Sequence, residues 1–260
     1  MGYEFAEYAL VGAAGLVAGG INAMAGGGSL VSFPSLVAVG VDTVSANATN
    51  TVALCPGYLG GAVAQRDDLS TAGATHRKLL VAAAAGGLTG AVLLVSTSDD
   101  VFDAIVPFLV LFATLLLAVQ EPVKKWLNAR RARSGEVDDR PAQGRPTTVG
   151  AVFTGAIYGG YFGAGLGIVF LAVLGLLLEE PLRKLNALKS LLSLVINVVA
   201  AIFLSFSGEV VWELAAVMAV TSLVGGVAGG KLVRVVNPVA LRTFVVLFGI
   251  AVAISLFVRN

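Results

Sequence analysis

Charge is scarce in this chain. Of 260 residues only 13% are charged, against 57% hydrophobic, where a soluble domain carries about 25% charged residues. A formal net charge of +1 leaves no basic face for a polyanion and excludes nucleic acid as a partner. The single cysteine, Cys55, excludes an internal disulfide and reads as packing in an apolar stretch. The single histidine, His76, stands beside Arg77 and Lys78 and reads as a solvated loop residue. A metal centre needs more ligands than that, so neither metal nor cofactor is expected. No Asp or Glu lies deep in any uncharged run. That removes a carboxylate proton relay and an acidic cation site. A membrane enzyme is disfavoured as well, since no Ser/His/Asp set is present.

What the chain has in quantity is apolar length. Uncharged runs cover 8–41, 43–65, 79–98, 104–120, 146–178, 190–208, 214–230 and 243–258. A crossing helix needs about 20 residues. Six runs suit one crossing each. The first and fifth, with 34 and 33 residues, are too long for one crossing and short for two.

The basic residues orient these runs. Lys and Arg concentrate in cytoplasmic loops. Sixteen of the 17 fall into four clusters, at 66–78, 124–145, 183–189 and 231–242. The other loops carry Asp42, then Asp99, Asp100 and Asp103, then Glu209 and Glu213. With every basic cluster inside and every acidic loop outside, runs 8–41 and 146–178 each return to the face they left. Each is expected to be a hairpin dipping into the membrane, or a pair of short tilted crossings, and both termini are expected outside.

The first of these runs contains "INAMAGGGSLVSFP" at 21–34. Non-helical backbone at membrane depth survives only where protein buries it or water lines it. Glycine permits the turn there and leaves N–H groups facing a cavity. A P-loop is excluded because Ser29, not Lys, follows the glycines. The N-terminal segment resembles a secretory leader, but Glu4 and Glu7 give its start the wrong charge, so it is expected to stay in the mature protein.

The two halves read as one unit used twice. "GLVAGG" at 15–20 aligns with "GAIYGG" at 155–160, and "NATNT" at 47–51 with "NALKS" at 186–190. "GGLTG" at 86–90 aligns with "GGVAG" at 225–229, and "FLVLFA" at 108–113 with "FVVLFG" at 244–249. The offsets run from 136 to 140. Each half is a hairpin plus three crossings, an odd number, so the second half enters the membrane inverted. The fold expected is an all-α integral membrane protein of two inverted repeats. Each repeat is a glycine-broken re-entrant hairpin plus three transmembrane helices. Residues 1–120 form the first repeat, 121–147 a cytoplasmic linker and 148–260 the second repeat. Inverted repeats with broken helices mark secondary transporters, whose sites lie at the midplane between repeats. The GxxxG spacings Gly15/Gly19, Gly86/Gly90 and Gly225/Gly229 read as close helix packing.

"AGGGSLVSFPSL" followed by "SANATNT" resembles the TauE/SafE family, the sulfite and organosulfonate exporters of prokaryotic membranes. The likeness covers nearly the whole chain. The second half departs from it, since "GAGLGIVFLAVL" lacks the triple glycine and a proline matching Pro34. The resemblance implies a multi-pass protein of the cell membrane that exports a small sulfur-containing anion. An anion channel of the same fold is the alternative.

The residues suited to an anion are neutral donors and one cation. Asn22, Gly26, Gly27, Gly28 and Ser29 form the hairpin surface. Asn47, Asn50 and Thr51 open the next helix, and Asn186, Lys189 and Ser190 take the equivalent places in the second half. Helix N-termini present free N–H groups to oxyanions. The competing reading makes Asn and Thr ordinary N-caps and lets Lys189 snorkel. Asn197 reads as helix–helix glue and Gln65 as interfacial. The partners expected are a small anion and the lipid bilayer, with a homo-oligomer left open.

Overall fold

The computed structural model describes residues 3–24, 27–64, 74–133, 145–178, 180–232 and 238–259. Every regular element among them is a helix. The first five are α1 (Phe5–Met24), α2 (Ser29–Ala38), α3 (Thr43–Ala64), α4 (Ala74–Ser96) and α5 (Asp99–Ala118). α6 (Gln120–Arg133) follows. The last five are α7 (Pro146–Tyr161), α8 (Leu166–Leu177), α9 (Leu182–Leu204), α10 (Trp212–Leu232) and α11 (Pro238–Arg259). Helix is the only open-chain way to satisfy every backbone group in lipid. Six helices, α1, α4, α5, α9, α10 and α11, are long and apolar enough to cross a membrane. Their outer faces carry bare apolar side chains, such as Phe108 and Phe112 on α5 and Leu247 and Ile254 on α11, as contact with lipid tails requires.

α3 has the length to cross but not the hydropathy. Its first turns carry Thr43, Asn47, Thr49, Asn50 and Thr51, all buried. α3 packs on α9 and α10, and α9 packs on α3 and α4. A helix shielded by protein need not be apolar throughout.

The glycine-containing runs fold as unequal pairs. α1 has 20 residues and α2 has 10, so at about 1.5 Å per residue only the first arm matches the bilayer thickness. The arms of the other pair have 16 and 12 residues. Both ends of the α1–α2 pair meet carboxylates near the starts of α10 and α5. The Tyr8 hydroxyl donates to Glu213 at 2.6 Å, and Thr43, just past α2, donates to Asp103 at 2.7 Å. α8 instead ends against α6, the basic helix, where Leu127 packs over Gly175.

Helices of one half pack on helices of the other. α1 lies along α10, and α7 along α4. At these crossings a Cβ on Gly19 would strike the Ser222 carbonyl, and one on Gly90 the Ile157 carbonyl. The glycine spacings therefore serve close backbone approach, as their sequence pattern suggests.

Two expectations change at the helix starts. His76 falls in the first turn of α4 rather than in a loop. Asn47, Asn50 and Thr51 do not open a helix, because α3 begins at Thr43. There the Val44 N–H is taken by Asp99 at 3.3 Å. A carboxylate from α5 does the capping, and the asparagines stand one to two turns inside. Asn186 and Lys189 likewise stand inside α9, which starts at Leu182.

Candidate anion site

The short helices α2 and α8 each start at a glycine turn. Gly27 precedes α2 with φ +93°, and Gly165 precedes α8 with φ +75°, backbone that side-chain-bearing residues rarely adopt. The two turns flank the same stretch of α5. The Leu117 side chain lies against Gly27, and Leu116 and Ala113 against Gly165. Phe33 of α2 and Phe162 of the second turn meet edge to face, 5.7 Å between ring centres. Two helix N-terminal ends, each a positive dipole end, thus come together between the halves; carbonyls of the glycine turns take the N–H groups of Leu30 and Val31 in α2 and of Leu166 and Ile168 in α8.

Side chains finish the first turn. Asn22 Oδ1 accepts the Gly28 N–H at 2.8 Å, which closes α1 onto α2. The α1 backbone leaves no room for a side chain at Gly28, whose Cβ would overlap the Ala18 carbonyl. Ser29 is buried and faces the Tyr58 phenol on α3. Ser32 donates to Asn50 Oδ1 at 2.5 Å. Asn22 and Asn50 therefore hold backbone and neighbours in place. Thr51 donates back to the Asn47 carbonyl at 2.9 Å. Gly26 and Gln65 lie outside the described residues.

Asn47 joins the halves. Its Nδ2 donates to the Tyr161 carbonyl at 2.7 Å, at the end of α7, while its Oδ1 is buried with no partner among the described residues. Near it, Ser45 donates to Glu209 at 2.6 Å and the Val211 N–H to Thr49 at 2.9 Å.

The second turn is finished differently. Lys189 lies over Gly167 in the first turn of α8; a Cβ there would stand 3.8 Å from the ammonium nitrogen. Among the described residues no carboxylate pairs with it; the ion pairs are Lys124–Glu121, Lys184–Glu180 and Arg242–Glu121. The Lys124 ammonium adds its own positive field. A cation beside a helix N-terminus is an unfavourable pairing that an anion between them would reverse. Asn186, Lys189 and Ser190 are all partly exposed, whereas their counterparts Asn47, Asn50 and Thr51 are buried.

Ser32 and Tyr58 were not evident as site residues in the sequence. Ser32 stands three residues after Ser29 and Tyr58 eight after Asn50, helical spacings that place them on the site face. Among the described residues no group of His, Cys, Asp and Glu could hold a metal.

Residues 11–256 match the family described as Sulfite exporter TauE/SafE. A probable membrane transporter protein, YfcA, of Escherichia coli K12 is 28% identical over 236 residues, covering 89% of this chain and 82% of that protein. A probable membrane transporter protein, ORF9, of a Sinorhizobium species is 27% identical, covering 94% and 89% of the two chains. A third, of Haemophilus influenzae, is 25% identical, covering 90% and 88%. No solved structure matches the chain.

Proposed function

Since the chain belongs to the sulfite exporter TauE/SafE family and is a multi-pass transporter of the cell membrane, we propose that it exports a small sulfur-containing anion, sulfite or an organosulfonate. It does so by alternating access around a midplane site. The observation that carries the reading is the meeting of the α2 and α8 N-terminal turns between the halves, with Lys189 unpaired by any described carboxylate beside one of them. The site comprises the hairpin turn at Asn22 and Gly26–Ser29, with Asn47, Asn50 and Thr51 on α3 and Asn186, Lys189 and Ser190 on α9. Asn22 and Asn50 act by positioning; Lys189 and the positive ends of α2 and α8 meet the anion.

The repeats are residues 1–120 and 148–260, joined by the cytoplasmic segment 121–147 and inverted with respect to one another. Reciprocal packing supports this. α1 on α10 mirrors α7 on α4, α3 on α10 mirrors α9 on α4, and α3–α9 and α5–α11 each pair equivalent helices. The re-entrant reading of α1–α2 is supported by Tyr8 and Thr43, at the two ends of the pair, reaching carboxylates near the starts of α10 and α5.

The conformation reads as open toward the cytoplasm. On the acidic face, Tyr8–Glu213, Ser45–Glu209, Asn47–Tyr161 and Thr49–Val211 all tie one half to the other. On the basic face, the equivalent residues Asn186, Lys189 and Ser190 are partly exposed. An exporter loads its cargo in this state.

Purified protein in proteoliposomes tests the reading. Saturable flux of labelled sulfite is expected. Flux that stays linear with concentration would favour a channel, and absence of both sulfite and alkanesulfonate flux would overturn the assignment.

A further inference from the structure

Hydroxyls on the membrane helices of this protein follow one habit. Thr51, Thr89, Thr114, Thr154, Ser205 and Thr221 each donate to the carbonyl four residues earlier, at 2.7 to 3.0 Å. The back-bond removes the desolvation penalty that a hydroxyl otherwise carries in an apolar setting. Ser193 on α9 departs from the habit. It is 4% exposed, yet its Oγ has no partner among the described residues. The neighbouring Asn197 does not relieve it, because Asn197 Nδ2 donates to the Ser193 carbonyl at 2.8 Å and not to the hydroxyl.

The position of Ser193 explains what the hydroxyl is kept for. It stands one turn beyond Lys189, and side chains four apart on a helix share a face. Lys189 reaches over the first turn of α8 at Gly167. Two donors of different kinds therefore share one face of α9: an ammonium with no described carboxylate partner, lying over the start of α8, and a buried hydroxyl with no acceptor among the described residues. A single cation suits a monovalent anion, and a hydroxyl supplies a directed bond to one of its oxygens.

We infer that Ser193 is a substrate ligand: its hydroxyl donates to an oxygen of the bound monovalent oxyanion whose charge Lys189 balances. The inference rests on the anion-carrier reading and extends the site one turn deeper into α9 than Lys189. An anion entering from the cytoplasm would meet Asn186 and Lys189 first and Ser193 last.

The full chain, purified in detergent, is titrated with inorganic sulfite, and binding is followed by calorimetry and thermal stabilisation. Ser193→Ala is expected to bind sulfite about 10-fold or more weakly, the loss of one hydrogen bond to a charged group. Ser193→Thr, which keeps a hydroxyl, is expected to retain most of the affinity. Without sulfite, Ser193→Ala should melt no lower than the unaltered protein, since removing an unpaired hydroxyl breaks no bond. A ligand-free melting point that falls while affinity is kept would make Ser193 a structural partner and overturn the inference. So would unchanged sulfite affinity in a well-folded Ser193→Ala protein, with the carrier reading left standing. If Ser193→Ala does not fold, Ser193→Val against Ser193→Thr gives the same comparison at nearly constant shape. If the unaltered chain binds no sulfite, the inference and the reading beneath it fall together.

Discussion

The side-chain amide of Asn47 donates to the backbone carbonyl of Tyr161 across 2.7 Å, so an early turn of α3 is fastened to the last residue of α7. The contact is worth more than one polar bond at a surface. Asn47 is 1% exposed, where a hydrogen bond meets no competition from water. It also belongs to a set on the acidic face with Ser45–Glu209, Thr49–Val211 and Tyr8–Glu213. Together these bonds form the outer closure of the proposed transport cycle.

Locking that closure should stop transport and spare binding. With cysteines in place of Ser45 and Glu209, a short bifunctional thiol reagent is expected to abolish sulfite efflux from proteoliposomes, and a reductant to restore it when the linker is reducible. Sulfite binding to the cross-linked protein in detergent should stay within about 3-fold of normal, below the roughly 10-fold change of a lost hydrogen bond to charge. Undiminished efflux from fully cross-linked protein would show that this face does not open.

Lys189→Gln keeps much of the side-chain length and removes the charge. Losing one charge-assisted hydrogen bond costs about 1.5–3 kcal/mol, or roughly 10- to 100-fold in sulfite affinity. The variant should fold with unchanged helicity by circular dichroism. Normal affinity would place Lys189 at the cytoplasmic interface and outside the site.

Gly19 and Gly150 give a matched pair for helix packing. A methyl at Gly19 meets the Ser222 carbonyl, while nothing lies within 4 Å of one at Gly150. Gly19→Ala should separate α1 from α10 and cost about 1–3 kcal/mol, the range of overpacking in a tight core. Gly150→Ala should be neutral or slightly stabilising, because Ala is the better helix former. Melting temperatures in one detergent compare the two directly, and equal values would show that the α1–α10 crossing is loose.

Gly27→Ala tests the first turn. At φ +93° a Cβ is strained by about 1–2 kcal/mol, although it meets the Leu117 and Leu30 side chains only at ordinary contact distance. The cost should therefore come from the backbone. Gly27→Asn, which tolerates positive φ better, should be milder than Gly27→Ala. Equal melting temperatures for the two variants would put the cost in packing instead.

Glu121 gives a pH dependence on the cytoplasmic side. The hydrogen bond from Lys124, at 3.1 Å, and then the charges of Lys124 and Arg242, hold its carboxyl below the ordinary value of 4.5. A carboxyl depressed in the folded state adds stability that is present above its unfolded pKa and is lost as pH falls through the folded one. The unaltered protein should melt above Glu121→Gln near neutral pH, and the gap should close in the acid range below 4.5. Both partners are partly open to solvent, so screening limits the gap to a few tenths of a kcal/mol, on the order of a surface pair. A gap that widens toward low pH would reverse the assignment.

Much of this protein was legible in the sequence. The scarcity and placement of charge fix which segments meet lipid, because an unpaired charge in hydrocarbon is too costly to leave there by chance. The glycine run marked a turn, and Gly27 has the positive φ that only a residue without Cβ adopts freely. The spacing of Gly15 and Gly19 foretold a close crossing, which α10 provides. What no local pattern contained was where α3 starts. Asp99 takes the Val44 N–H and Asp103 the Thr43 hydroxyl, both from another helix, so Asn47 and Asn50 became interior residues instead of caps. Nor could the sequence separate hydroxyls that satisfy themselves from the one that does not. Thr51 and Ser193 both sit in apolar helices, and only the folded chain leaves Ser193 without an acceptor. Composition and periodicity set which residues must be buried and which turns must be glycine, because those costs are local. Which polar groups are left for a ligand depends on partners from distant segments, and that only the tertiary structure decided.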